Sequence, residues 1–159
     1  MVSPGAPSDC KSAKRDRILI VDDEPVNRAL LERMLGVLGY ETRSAANGQE
    51  ALTAVNDDID LVLLDVNMPD ITGFEVAKQI RSADRCFDVP IIMVTALSSM
   101  QDRLAAVESG ANDFICKPVD LTELRVRVTA QLSVKHAQDA LKRSMDDLER
   151  IVEQRTIAL

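Results

Sequence analysis

The sequence offers little aromatic side-chain area. Aromatic residues make up 3% of it, with one Tyr, three Phe and no Trp, although hydrophobic residues reach 46%. The core must therefore be built from aliphatic side chains. Runs of Val, Ile and Leu are typical of parallel strands that are buried on both faces of a sheet. This composition suits an α/β domain.

Long apolar runs and paired cysteines are also missing. No stretch approaches the roughly 18 apolar residues that span a bilayer, and the first residues lack the apolar region of a signal peptide. The three cysteines, Cys10, Cys86 and Cys116, form no Cys-x-x-Cys pair, which predicts reduced thiols. Cys116 lies in an apolar run and is expected in the core. We expect a cytoplasmic protein with no membrane contact.

Positive charge is scarce in the middle of the chain. Residues 18–133 carry 10 Lys and Arg against 19 Asp and Glu, and the whole chain has a formal net charge of -7. An acidic domain repels the phosphates of nucleic acids and of anionic membranes. We therefore expect no direct nucleic-acid binding, whereas the excess of carboxylates is compatible with a site for a hard cation.

The chain does show a regular alternation of short apolar runs and amphipathic stretches. The runs predict strands at 18–21, 41–45, 61–64, 91–94 and 113–116. The amphipathic stretches predict helices at 26–38, 48–56, 73–82, 99–109 and 121–133. Five strand–helix repeats predict a doubly wound, flavodoxin-like α/β fold with a five-stranded parallel sheet in the order 2-1-3-4-5. In that order, ligands lie beyond the C-terminal ends of the strands.

Two segments flank the predicted domain of residues 17–133. Residues 1–16 are rich in Ser, Pro, Gly, Ala and Lys, and predict a flexible tail. Residues 134–159 contain no Gly or Pro and extend the last helix, with apolar residues at heptad spacing at Leu141, Met145, Leu148 and Val152. We expect a coiled-coil linker that leads toward an output domain and pairs with a second copy. A single frayed or folded-back helix is the alternative.

Polar side chains follow four of the predicted strands, at Asp22 and Asp23, Asp65, Thr95 and Lys117. A parallel sheet brings these strand ends to one edge. Three carboxylates at one edge repel each other unless a cation is bound, and Mg²⁺ favours carboxylate, carbonyl and water ligands. An ionised Asp can be the nucleophile toward a phosphoryl group, while a hydroxyl and an ammonium contact the phosphoryl oxygens. The pattern indicates a site for magnesium-assisted phosphoryl transfer.

The sequence resembles the receiver domain of two-component response regulators, which has the chemotaxis-regulator-like fold. The resemblance covers about residues 17–133 and rests on ILIVDDEPVNR at 18–28, LVLLDVNMPDITGFE at 61–75, IIMVTAL at 91–97 and GANDFICKP at 110–118. It implies a signalling phospho-acceptor and not an enzyme, with self-phosphorylation and autodephosphorylation as its only chemistry. The implied donor is a histidine kinase or a histidine phosphotransfer protein, and the implied response passes through the C-terminal helix to an output domain.

The resemblance also assigns roles to individual residues. Asp65 matches the phospho-acceptor, and Thr95 and Lys117 match the groups that bind the phosphoryl oxygens. The implied ligands of Mg²⁺, or of Mn²⁺ in its place, are Asp22, Asp23, Asp65 and the backbone carbonyl of Asn67.

The resemblance further implies a conformational switch formed by Thr95 and Phe114. The aromatic position holds Phe and not Tyr, so a packing role survives but a hydroxyl role is lost. Ala96 matches a small position that lets the phosphoryl group approach. Leu97 is apolar and cannot hold an attacking water, from which we expect autodephosphorylation that is not especially fast.

Other functions on similar folds fit the residues less well. A phosphatase of the haloacid-dehalogenase type requires a second Asp two places after the nucleophile, where this chain has Asn67. A flavin-binding module requires a loop rich in Ser, Thr and Gly after the first strand, where this chain has Asp-Asp-Glu-Pro at 22–25. A passive dimerisation module would leave the acidic edge unexplained.

Overall fold

The computed structural model describes residues 15–83, 88–96 and 100–157, and these ranges contain five strands and five helices. The strands are β1 (Arg17–Val21), β2 (Glu41–Ala45), β3 (Leu61–Asp65), β4 (Ile91–Thr95) and β5 (Asp113–Cys116). The helices are α1 (Pro25–Val37), α2 (Gly48–Ala54), α3 (Gly73–Ser82), α4 (Met100–Glu108) and α5 (Leu121–Ile157). The predictions for most of the N-terminal tail, for Leu97 and for two cysteines concern residues outside these ranges.

The sheet is parallel throughout, with the strand order β2-β1-β3-β4-β5, which confirms the predicted topology. Every residue of β3 and β4 is buried, because helices cover both faces of the sheet. β2 lies at one edge and is mostly exposed, which explains its weaker apolar pattern. β5 lies at the other edge, and for that reason Cys116 is only half-buried, in contrast to the expected core position.

The helices form a layer on each face. Aliphatic residues of α1 and α5 pack on one face, among them Leu31, Leu35, Leu124, Val128 and Leu132. Small and aliphatic residues of α2, α3 and α4 pack on the other, among them Ala51, Val76, Ala77, Ile80 and Ala106. Because all five strands are parallel, every strand-to-helix loop lies at the C-terminal edge of the sheet. That edge is where the predicted functional residues lie.

Local sequence signals explain where the helices begin. α1 has Pro25 as its first residue, a position where a missing N–H does no harm. The side chains of Asn47 and Thr72 cap α2 and α3 by accepting hydrogen bonds from the third backbone N–H that follows. Gly39 follows α1 with φ of 93°, a conformation that favours glycine.

The last helix is 37 residues long and extends well past the domain. Its first turns are anchored by the buried side chains of Leu124, Val128 and Leu132. Farther along, the ring of His136 lies 3.1 Å from the Asp16 carboxylate, at the base of the domain. The predicted long C-terminal helix is thereby confirmed. None of the described helices is both long and apolar enough to cross a membrane.

Candidate functional site

The C-terminal ends of β1 and β3 bring three carboxylates together. Asp22 and Asp23 follow β1 directly, and Asp65 is the last residue of β3. Each offers an oxygen within 4.8 Å of the others. Asp22 and Asp65 are almost fully buried, whereas Asp23 is half-buried. The predicted acidic cluster therefore exists.

Lys117 reaches this cluster from the end of β5. Its Nζ lies 3.2 Å from Asp65 Oδ1 and 3.3 Å from Asp22 Oδ2, so that one ammonium bridges two buried carboxylates. The peptide bond between Lys117 and Pro118 is cis. Burial alone would lower the pKa of Lys117, but the attraction of Asp65 and Asp22 outweighs it, and the pKa is raised overall. The ammonium is therefore charged at neutral pH.

The environment of Asp65 opposes its ionisation. Burial raises the pKa of its carboxyl, and the negative charges of Asp22 and Asp23 raise it further, while Lys117 acts in the opposite direction. The net direction is upward. The site thus holds more negative charge than one lysine can neutralise, and it favours the entry of a further cation.

Asp22 is fixed by its own contacts. Its Oδ1 accepts a hydrogen bond of 2.9 Å from the backbone N–H of Glu24. Its backbone carbonyl accepts a hydrogen bond from the guanidinium of Arg28, one helical turn into α1. Our sequence reasoning missed Arg28 because nothing in an amphipathic helix indicates that one of its arginines turns back toward the preceding strand.

The loop after β3 is held tightly against the end of that strand. The N–H of Gly73 donates to the carbonyl of Val66, and a Cβ on Gly73 would lie 2.2 Å from the backbone oxygen of Asp65. Farther along the loop, the carboxylate of Asp70 accepts hydrogen bonds from the first backbone N–H groups of α2. The loop therefore connects the candidate site to α2, a link that the sequence did not predict.

The remaining predicted residues lie around this cluster. Thr95 ends β4 and is buried, and its carbonyl accepts a hydrogen bond of 2.8 Å from the N–H of Lys117. Asn67 is exposed in the loop after β3. Phe114 is half-buried on β5, and its Cα pairs with that of Met93 on β4. Thr95 and Phe114 border the same small cavity beneath α4.

These carboxylates fit a hard divalent cation. The oxygen donors of Asp22, Asp23 and Asp65 are close enough to share one ion, and Mg²⁺ prefers such ligands. The neighbouring Lys117 restrains the carboxylates without adding a soft ligand. The donor set therefore suits magnesium or manganese better than zinc.

The family model for the response regulator receiver domain matches residues 18–129. The chain belongs to this family. The receiver domain therefore accounts for the five strands, for the first part of α5 and for every predicted site residue.

The relatives of this receiver domain include transcriptional regulators. It is 42% identical over 120 residues to the probable transcriptional regulator ycf27 of Porphyridium aerugineum, an alignment that covers 75% of this chain and 49% of that protein. It is 38% identical over 117 residues to RpaA of Synechocystis, described as a DNA-binding dual master transcriptional regulator, covering 73% of this chain and 48% of that protein. The chain thus spans about half the length of these relatives.

A solved relative bears on the site itself. The response regulator protein TrrA of Thermotoga maritima, crystallised with Mg²⁺ and BeF, is 40% identical to this receiver domain. The TM-score is 0.64, and the match covers 73% of this chain and 98% of that structure.

Proposed function

We propose that this receiver domain accepts a phosphoryl group on Asp65 from the phosphohistidine of a histidine kinase or histidine phosphotransfer protein. One observation carries the proposal. The buried carboxylate of Asp65 lies among two further carboxylates and 3.2 Å from a lysine ammonium, at the end of a central strand. A carboxylate that served only as structure would not require this costly grouping of charge.

The transfer uses Asp65 in its ionised form. A carboxylate oxygen of Asp65 forms a bond to phosphorus as the N–P bond of the donor histidine breaks, and the imidazole nitrogen keeps the electron pair. No proton has to be removed from the nucleophile. Lys117 is already adjacent, and it can pair with a phosphoryl oxygen while remaining close to Asp22.

We propose that Asp22, Asp23, Asp65 and the backbone carbonyl of Asn67 hold Mg²⁺ or Mn²⁺. When bound, the ion supplies positive charge that offsets the charge of the phosphoryl oxygens. The roles of two of these residues would differ. Asp22 is held by Lys117 and by the N–H of Glu24, whereas Asp23 is half-buried and more exposed than Asp22.

The experiment is a measurement of intact mass after incubation with acetyl phosphate and Mg²⁺. We expect the wild type to gain one phosphoryl group and Asp65→Asn to gain none. Asp57→Asn, a matched change at an exposed carboxylate that precedes the N-terminal end of β3, should behave as the wild type. Chelation of the metal should abolish the adduct. An adduct on Asp65→Asn, or none on the wild type, would contradict the proposal.

We also propose that the far part of α5 pairs with a second copy as a coiled coil leading to an output domain. Leu141, Met145, Leu148 and Val152 follow one another at 4-3-4 spacing and are 56–63% exposed. Such a stripe is stabilised when a second helix covers it. Leu148→Glu should convert a dimer to a monomer in sedimentation equilibrium, whereas Ala140→Glu, on the outer face, should not. A monomeric wild type would contradict the proposal.

We also propose that the protein is cytoplasmic and that its receiver domain does not bind nucleic acid. The acidic receiver itself is proposed not to contact DNA, and the DNA binding named for RpaA would then belong to the half of that protein that this chain does not match. The lack of a Cys-x-x-Cys pair in the sequence, together with the free thiol of Cys116, supports a reducing, cytoplasmic location.

A further inference from the structure

We propose that Arg103, acting together with Arg127, holds the ring of Phe114 in its resting position through cation–π contacts. Arg103 thereby sets how readily the unphosphorylated domain reaches its active conformation. The inference rests on the proposed function, because it concerns the switch that responds to phosphorylation of Asp65. It names Arg103 as a positioning residue that acts through Phe114.

The contact geometry is direct. The guanidinium carbon of Arg103 lies over the Phe114 ring, 4.9 Å from its centroid, and that of Arg127 lies 5.9 Å away. A guanidinium within about 6 Å of a ring centroid is attracted by the negative face of the ring. Phe114 has no hydroxyl with which to form a hydrogen bond at the surface, whereas these two cations can favour its present position.

The two arginines differ in how they are held. Arg127 donates to both oxygens of Asp113, at 2.8 and 2.9 Å, and to Glu123 at 3.0 Å, so it is a fixed part of the β5–α5 surface. Arg103 instead projects from α4 and is exposed. Its contact with Phe114 therefore joins α4 to β5, and it is the contact that a movement of α4 would break.

The space beside the ring gives the second observation. A cavity of about 10 Å³ lies between Phe114, Thr95, Met93 and Ala106. That volume holds about one water molecule, far less than a phenyl ring. The ring can therefore move further into this space only when the residues that line it move. The small cavity and the two guanidinium groups thus favour the same ring position.

The test measures ring position directly. Met93 borders the cavity and is fully buried, so ring currents should shift its ¹³C-labelled methyl resonance when Phe114 turns inward. The inward position is defined by wild type saturated with Mg²⁺ and beryllofluoride. Without these additions, Arg103→Gln should move the resonance part of the way toward that position. Loss of an exposed cation–π contact should change the ratio between the populations of the two ring positions by about 2- to 5-fold.

Control variants separate this role from general destabilisation. Arg103→Lys keeps a cation and should stay near the wild type, and Arg125→Gln, a matched change on the exposed surface of α5, should not shift the Met93 resonance. Phosphorylation by acetyl phosphate should also be about 2- to 5-fold faster in Arg103→Gln. Wild-type and Arg103→Gln spectra that coincide, or a Lys variant that behaves like Gln, would overturn the proposal.

The outcome is distinguishable from a failure of the proposed function. If wild type gains no phosphoryl group on Asp65, the proposed function fails. If wild type is phosphorylated and its Met93 resonance moves with beryllofluoride, while Arg103→Gln matches unmodified wild type, the function stands and the role of Arg103 fails.

Discussion

Asp65→Asn should make the domain more stable while abolishing phosphorylation. The wild-type carboxylate is buried beside Asp22 and Asp23, and both its burial and its neighbours disfavour the charge. An asparagine has the same shape and no charge, and its amide oxygen can still accept a hydrogen bond from Lys117. The substitution therefore removes repulsion without opening a cavity.

The size of the effect follows from the distances. At an effective dielectric constant of about 20, a like charge within 4.8 Å contributes at least about 3.5 kcal/mol of repulsion, and Asp65 has two such neighbours. On the same scale, Lys117 at 3.2 Å contributes about 5 kcal/mol of attraction. Repulsion therefore exceeds attraction by at least about 2 kcal/mol before solvent screening. We expect a gain of about 1–2 kcal/mol, or about 2–8 °C in Tm.

The pH dependence gives a stricter test. The pKa of Asp65 is raised in the folded state, so the penalty on folding is complete only at pH values above that raised pKa, where the carboxyl is ionised in both the folded and the unfolded state. As the pH falls through the raised pKa toward 3.8, the usual value for Asp, wild type takes up a proton and the penalty is lost. The advantage of Asp65→Asn should therefore be largest at neutral pH and should shrink on acidification.

The assay is thermal or urea unfolding in EDTA at several pH values, with Asp57→Asn as the control for a change of one exposed charge. EDTA is needed because a bound cation would offset the repulsion around Asp65 in the wild type and mask the effect of the substitution. An Asp65→Asn variant that is no more stable than wild type at pH 7, or whose advantage is independent of pH, would refute the reasoning.

Two further changes test the packing around the site by urea unfolding. Gly73→Ala should lower the free energy of unfolding by about 1–3 kcal/mol, because the added Cβ would lie 2.2 Å from the backbone oxygen of Asp65. Gly36 lies in α1, and a Cβ added there would meet no atom within 4 Å outside the helix's own backbone. Gly36→Ala should therefore raise the free energy of unfolding by about 0.5–1 kcal/mol. Equal effects of Gly73→Ala and Gly36→Ala would contradict the geometry. Arg81→Met should cost about 2–3 kcal/mol, since the carbonyls of Gly110 and Val89 lose the guanidinium donor. The amide oxygen of Asn112 loses one of its donors and keeps the N–H of Ile91. The same change at exposed Arg33 should be nearly neutral, and an equal loss there would argue against this cause.

Much of the fold could be predicted because burial leaves a signal in the sequence. β3 and β4 are buried on both faces, so their apolar runs matched the observed strands to within one residue. The helix predicted at 48–56 ends earlier, at Ala54, because Val55 already has an extended backbone with ψ of 118°. The apolar pattern there continues past the last helical residue, and periodicity alone does not show where a backbone turns.

The site was predictable where topology alone places the residues. Strand ends meet at one edge of a parallel sheet, so the convergence of Asp22, Asp65 and Lys117 follows from their positions after apolar runs. The contacts of Arg28 and Arg103 do not follow in this way. Both are arginines on helices, and the partner of a long, flexible side chain depends on which way it turns in three dimensions.

The length of α5 determines how motion at the domain is transmitted. Beyond Leu132, the last of its buried anchors, the helix continues for 25 residues to Ile157, or about 37 Å at 1.5 Å per residue. A rigid rod of that length converts a tilt of only 10° at its base into a sideways displacement of about 6 Å at its tip. Rearrangements too small to alter the sheet can therefore reposition whatever is attached to the far end.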